Sequence, residues 1–283
     1  MGAGIPPGPD ISTGAKFLDP TIYRQIIHPF CPYRSAKLAG RGCRRERCGA
    51  PRRGSVVRTP ANKVQHISIE KILGCGILLV MHSSSPRSGD QALIQIVDAA
   101  LADVTRRSGQ WLVCRPGCTQ CCIGVFPINQ LDAIRLRQGL ANLEERAPQR
   151  AAGVRKRARE AVSRLSQEFP GDPTSGVLDE GEEAEQRFAE FANQEPCPAL
   201  DPETGLCELY EARPMTCRVF GPPLRSEDGL GVCELCFQGA TDEEIAACEL
   251  NPDPEDLESA LVEEVEKSTA VRGQTIVAFC LAS

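Results

Sequence analysis

Residues 114–122 read CRPGCTQCC, four cysteines in nine positions with the last two adjacent. Working outward, nine of the fifteen cysteines fall between 114 and 236: Cys114, Cys118, Cys121, Cys122, Cys197, Cys207, Cys217, Cys233 and Cys236. Cys118-x-x-Cys121 and Cys233-x-x-Cys236 have the spacing that lets two sulfurs leave one turn toward a shared site. Cys197, Cys207 and Cys217 recur at intervals of ten, which a hairpin followed by a turn can return to one place. Neighbouring side chains of an extended segment point to opposite sides, so Cys121 and Cys122 suit two different metals, or one ligand and one core position. Nine sulfurs are enough for two four-thiolate sites without requiring them.

The bland alternative is that each cysteine is a small buried apolar residue. That reading fits Cys31, Cys43, Cys48, Cys75, Cys248 and Cys280. For the nine clustered thiols it offers no packing reason. A disulfide framework is the other alternative and would follow if the protein were exported. No ordinary secretory start is present, so a cytoplasmic location is expected, where disulfides are disfavoured and clustered thiols bind metal.

Charge divides the chain. Residues 1–80 carry 13 Lys/Arg against 4 Asp/Glu, whereas residues 81–283 carry 19 against 34. The first part is rich in Pro, Gly and Arg without helical or strand periodicity. Its one apolar run, Ile72 to Met81, is too short to span a bilayer. It is read as a disordered extension, or as upstream of a true start at Met81. With few aromatics and no recognised module, neither nucleic acid nor membrane is expected as a partner.

From residue 81 the pattern is mainly helical. Ser88-Gly-Asp-Gln91 has capping-box spacing ahead of Leu93, Ile96, Val97, Ala100, Leu101 and Val104, with Gly109 as the stop. Pro127 suits a first helical turn, with Gly139 ending that helix. A longer amphipathic helix carries Ala151, Val154, Ala158 and Leu165, with a solvated basic face. A short acidic helix is expected at 181–193. CPALDPETGLCELY (197–210) reads as a small hairpin bent at Pro202 and Gly205. Asp253-Pro254 opens a last helix with Leu257, Leu261 and Val265, and the tail TIVAFCLAS fits strand or helix. The expected fold class is mainly α with a small β-hairpin, an irregular cysteine-rich metal-binding domain over 81–283.

CRPGCTQCC followed by CPALDPETGLCELYEARPMTCRVFG resembles the YkgJ-type cysteine cluster proteins, also described as zinc- or iron-chelating domains and related to the cysteine domain of flagellin lysine methylases. Members share C-x3-C-x2-C-C, then C-P-x-L, then G-x-C-x-x-Y-x-x-R-P-x-x-C-R. Those later positions are Cys197, Pro198, Leu200, Gly205, Cys207, Tyr210, Arg213, Pro214, Cys217 and Arg218. The resemblance covers about 114–237 and implies a bound metal centre: an iron–sulfur cluster, with four iron and four sulfide preferred, or zinc. For most members it implies no established reaction.

Pro214 pushes Arg213 into an extended conformation and aims the turn that carries Cys217. Arg213 and Arg218 are candidate cofactor-binding residues, offsetting the charge of thiolates or a cluster; ion pairs with Glu208 or Glu211 are the plain alternative. Tyr210 is read as packing at the core edge, and Trp111 as anchoring the start of the cysteine loop.

Two function classes remain. The non-catalytic one is a metal-binding domain with a structural, electron-transfer or metal-handling role, with an unidentified protein partner left open. The catalytic one is an iron–sulfur enzyme using S-adenosylmethionine, such as a protein methylase. Cys114-x3-Cys118-x2-Cys121 has the spacing of the radical enzymes, but residues 123–283 lack the repeated strand–helix units of their barrel. There is no Gly-rich nucleotide loop and no His after His82, which leaves little material for acid–base work. The non-enzymatic reading is preferred.

Overall fold

Asn129 shows how locally the chain sets its elements: its side chain accepts the Asp132 amide at 2.9 Å and starts a helix one residue later. The computed structural model describes residues 86–226 and 229–283, together with a strand at 16–18. All of these residues lie in one compact unit. The reading of 1–80, the Met81 start and Cys31, Cys43, Cys48 and Cys75 otherwise lie outside the described residues.

In chain order the elements are β1 (Lys16–Leu18), α1 (Pro86–Ser108), β2 (Pro127–Ile128), α2 (Gln130–Arg146), α3 (Pro148–Leu165), β3 (Gly171–Asp172) and β4 (Val177–Leu178). They continue as α4 (Glu182–Glu190), α5 (Met215–Val219), β5 (Leu224–Ser226), β6 (Gly229–Cys233), α6 (Asp242–Ala246), α7 (Leu257–Thr269), β7 (Thr275–Ile276) and α8 (Val277–Ala282). The domain is mainly helical with short strand pairs, as expected. β6 lies between β1, which is parallel to it, and β5, which is antiparallel. β2–β7 and β3–β4 are two-residue antiparallel ribbons.

The first core forms where α1 packs on α7. Leu93, Val97 and Val104 supply one helical stripe, and Val219, Phe220, Val232, Phe237, Ile245, Leu261 and Val265 close over it. A second core joins α2, α3 and α8 through Leu136, Leu140, Leu143, Ala151, Val154, Ala158 and Leu281. A third lies around Leu165, Phe169, Phe191 and Ile276, where the Phe169 and Phe191 rings meet edge to face at 5.9 Å. Burial on this scale, at roughly 25 cal/mol per Å² of apolar surface, is what holds helices of such modest length.

Several boundaries differ from expectation. Ser88 and Gln91 lie inside α1 rather than at its cap. Pro127 is in a strand, register-paired with Ile276, and α2 begins only after the Asn129 cap. Gly139 does not stop α2, because its role is steric: a Cβ there would collide with the Cβ of Ala212. The acidic helix is α4, and Asp253 caps α7, its carboxylate accepting the amides of Leu257 and Glu258. The ambiguous tail is both things in turn, β7 then α8. The expected hairpin at 197–210 is reduced to one ladder bridge, Leu200 to Cys207, closed by an Asp201 turn with Gly205 at φ 68°. The longer hairpin, β5–β6, was not anticipated; Gly229 at φ 117° begins its second strand.

Candidate metal centre

Four stretches of chain carry the nine thiols: the 114–122 loop, the 197–207 turn, helix α5 with Cys217, and the end of β6 with the turn after it. The first is anchored by Trp111, which packs on the first core and whose carbonyl accepts the Phe237 amide at 2.8 Å. It ends in a 3-10 turn, Gln120–Cys122. There the Cys122 carbonyl accepts the Cys197 amide at 2.7 Å, and Gly124 donates to Glu195 at 2.7 Å, so residues 122–125 run beside 192–197. The Leu200–Cys207 bridge returns Cys207 to the same place. Pro214 ends the Tyr210–Ala212 turn, leaves Arg213 extended at ψ 145°, and precedes α5 with Cys217.

Cys122, Cys197, Cys207 and Cys217 form the first set. The last three border the second core. Burial and the charge at Cys207 push the Cys197 thiol up to about 12. Burial, then the charges at Cys121, Cys197 and Cys207, raise Cys217 well above an ordinary thiol. Cys207 is raised by burial against the pull of the Leu209 amide and Arg213. At Cys122 the contact with the Cys121 thiol is the largest cause of an upward shift, followed by burial and by the charges of Cys121, Cys197 and Cys217. Neighbouring sulfurs thus oppose ionisation at Cys122, Cys197 and Cys217, the arrangement a cation relieves.

Cys114, Cys233 and Cys236 form the second set. The Cys114 and Cys236 sulfurs are 3.8 Å apart, with Cys114 exposed and Cys236 buried. Contact with Cys114 is the main reason the Cys236 thiol is pushed up to about 11. Cys233 is raised by its bond to Cys236 and by burial, with a further contribution from Cys121. Gln120 donates to Glu234 at 2.9 Å, tying the vicinal turn to this set as Cys122 ties it to the first. Cys121 packs against the core that contains Cys233 and Cys236, while its charge raises all four thiols of the first set and, in the second, Cys233. Cys118 lies in the same loop, half-buried, its amide bonded to the Arg115 carbonyl at 2.9 Å.

The donors fit zinc or an iron–sulfur cluster in kind: thiols only, in two groups, beside carbonyls and amides that hold their backbones. Among the described residues no three Cys, His, Asp or Glu side chains stand close enough to make a ready cage.

The arginines part ways. Arg213 lies 3.9 Å over the Tyr210 ring, donates to the Tyr210 carbonyl at 2.9 Å, and lowers the Cys207 thiol. Tyr210 is 57% exposed, so it is a platform for that guanidinium rather than a core-edge residue. Arg218 is buried and directed to Asp98 on α1, at 2.8 Å, and to the Glu211 carbonyl. Glu208 pairs instead with Arg150. Cys248 and Cys280 are buried as expected, and the Cys280 thiol donates to the Ala133 carbonyl at 3.3 Å.

Sequence reading passed over Asp132 and Arg135, buried partners at i and i+3 on α2 with Asp90 of α1 as a third member. That spacing was the available signal, hidden because such pairs are ordinarily solvated.

Residues 113–236 match the CxxCxxCC family model, described as "Putative zinc- or iron-chelating domain". This is the YkgJ-type family that the motifs resembled. The CxxCxxCC segment takes in both thiol sets and a little under half of the chain. No curated protein and no solved structure matches. Among the described residues no helix is long and apolar enough to cross a membrane.

Proposed function

We propose that the CxxCxxCC segment holds two adjacent thiolate metal centres. Cys122, Cys197, Cys207 and Cys217 ligate the first; Cys114, Cys121, Cys233 and Cys236 ligate the second. Cys118 is a ninth thiol beside them. The carrying observation is the vicinal pair between the two groups, with Cys122 bonded through its carbonyl to Cys197 and Cys121 packed on the core that contains Cys233 and Cys236. Arg213 moderates the charge of the first set through Cys207.

Four protein sulfurs per centre leave no position open for a substrate, which favours a structural or electron-transfer role over Lewis-acid catalysis. An iron–sulfur cluster is preferred at one centre or both, with zinc as the alternative. A reducing compartment, the cytoplasm, suits so many free thiols. A cluster would supply one-electron chemistry; zinc would supply folding free energy alone.

Anaerobic purification followed by iron, zinc and sulfide analysis tests this. Two thiolate centres per chain are expected, with broad visible absorption where they are iron–sulfur. Cys217→Ser should empty the first alone, and Cys236→Ser the second alone. Protein with neither metal, or a single centre lost equally in both variants, would overturn the reading.

A further inference from the structure

Helix α5 is short, five residues, yet it carries Cys217. So brief a helix has little stability of its own and needs outside contacts to fix its direction. Its first amide, on Met215, belongs to a turn whose N–H groups have no intrahelical acceptor. Here that amide donates to Asp132 Oδ1 at 3.0 Å. Asp132 is 2% exposed and comes from α2, far away in the chain.

The carboxylate is over-determined. Arg135, one turn on, bonds it and also holds Asp90 of α1. The Asp132 amide is fixed by the Asn129 side chain, which in turn donates to Glu258 of α7 at 2.8 Å. Three helices thus converge on one buried acid, and the acid reaches out to a single backbone amide two residues before a sulfur. Burying an ion pair of this kind contributes little net stability by itself, because desolvation offsets the attraction. What it does provide is a fixed direction.

We propose that Asp132 is a positioning residue for the first thiol set: it holds the start of α5, and so aims the Cys217 sulfur at Cys122, Cys197 and Cys207. The metal consequence rests on the two-centre reading, but the positioning does not. It is therefore tested on metal-free folded protein, by the iodoacetamide alkylation rate of Cys217 relative to Cys207 in the same molecule, read by peptide mass spectrometry. Asp132→Ala should raise that ratio roughly tenfold, the scale on which one lost buried hydrogen bond shifts a local opening. Asp132→Asn keeps an acceptor for the Met215 amide and should restore most of the native ratio. Leu165→Ala, a truncation in the third core, should lower Tm without moving the ratio. An unchanged ratio in Asp132→Ala, or an equal rise in Leu165→Ala, would overturn the proposal. Should Asp132→Ala fail to fold, hydrogen exchange of the native protein decides: the Met215 amide must be protected, and rapid exchange there would sink the idea. Native protein that binds no metal would refute the two-centre reading while leaving the alkylation result standing.

Discussion

The amide of Cys197 donates to the carbonyl of Cys122 across 2.7 Å, and this bond is flanked by Gly124 bonding to Glu195. The pairing ties the backbones of Cys122 and Cys197 to each other directly. Its cysteines differ accordingly from ones that merely fill space. Cys280, 2% exposed with its thiol on a carbonyl, belongs to the second kind.

Serine substitution should separate the two kinds. Cys207→Ser and Cys217→Ser are expected to lower both metal content and Tm, since a structural thiolate site contributes on the order of 10 kcal/mol to folding. Cys280→Ser should leave metal content unchanged. Cys118→Ser, at the ninth thiol beside the two proposed four-sulfur centres, should cost less metal than Cys207→Ser. Metal analysis with thermal melts checks all four.

Loading should also release protons. In the first set all four thiols are shifted upward, by burial or by neighbouring sulfurs, so they are protonated at neutral pH without a cation. A metal requires them as thiolates. About four protons should therefore leave per ion bound at that set, and affinity should fall steeply as pH drops. Titration of zinc into weakly buffered apoprotein with a pH indicator measures the number. A release near one would mean that the four do not ligate together.

The course of the helices was readable because Leu93, Val97 and Val104, or Ala151, Val154 and Ala158, repeat at the helical period and all are buried. The cysteine segments were readable because thiols at such density have few physical uses. What escaped was decided across space. Gly139 looks like a terminator in one dimension, and only the approach of Ala212 explains it. Asp132 and Arg135 look like a surface pair until α1 and α5 close over them. Which sulfurs share a set depends on the Cys122–Cys197 and Gln120–Glu234 bonds, which no spacing encodes.

Gly221 tests the second set. Its φ is 122°, its carbonyl accepts the Cys233 amide at 3.3 Å, and an added Cβ would lie 2.7 Å from the Cys114 sulfur. Gly221→Ala should strain the backbone by about 1–3 kcal/mol and drive Cys114 from Cys236. Total bound metal is expected to fall toward half, with the first set retained. Full metal occupancy in the variant would show that Cys114 is not a ligand.

Glu258 gives the domain a pH dependence opposite in sign to that of a salt-bridged carboxylate. Burial, chiefly, and the neighbouring Asp132 push its carboxyl from 4.5 up to about 8, against the pull of Asn129 and Arg135; Asp253 adds a smaller upward push. Between those two values the folded chain binds a proton that the unfolded chain has lost. Stability from this group is therefore full below about 4.5, declines as pH rises, and is gone above about 8. At about 1.4 kcal/mol per unit the upper bound is a few kcal/mol. Glu258→Gln cannot ionise and keeps an oxygen for the Asn129 amide, which donates at 2.8 Å. Urea melts should show the variant more stable than the native chain at pH 9 and level with it near pH 4.5. Because the thiols are common to both proteins, the difference reports this carboxyl together with Asp132, whose charge it feels. Curves that stay parallel across that window would mean that Glu258 is ionised in the fold.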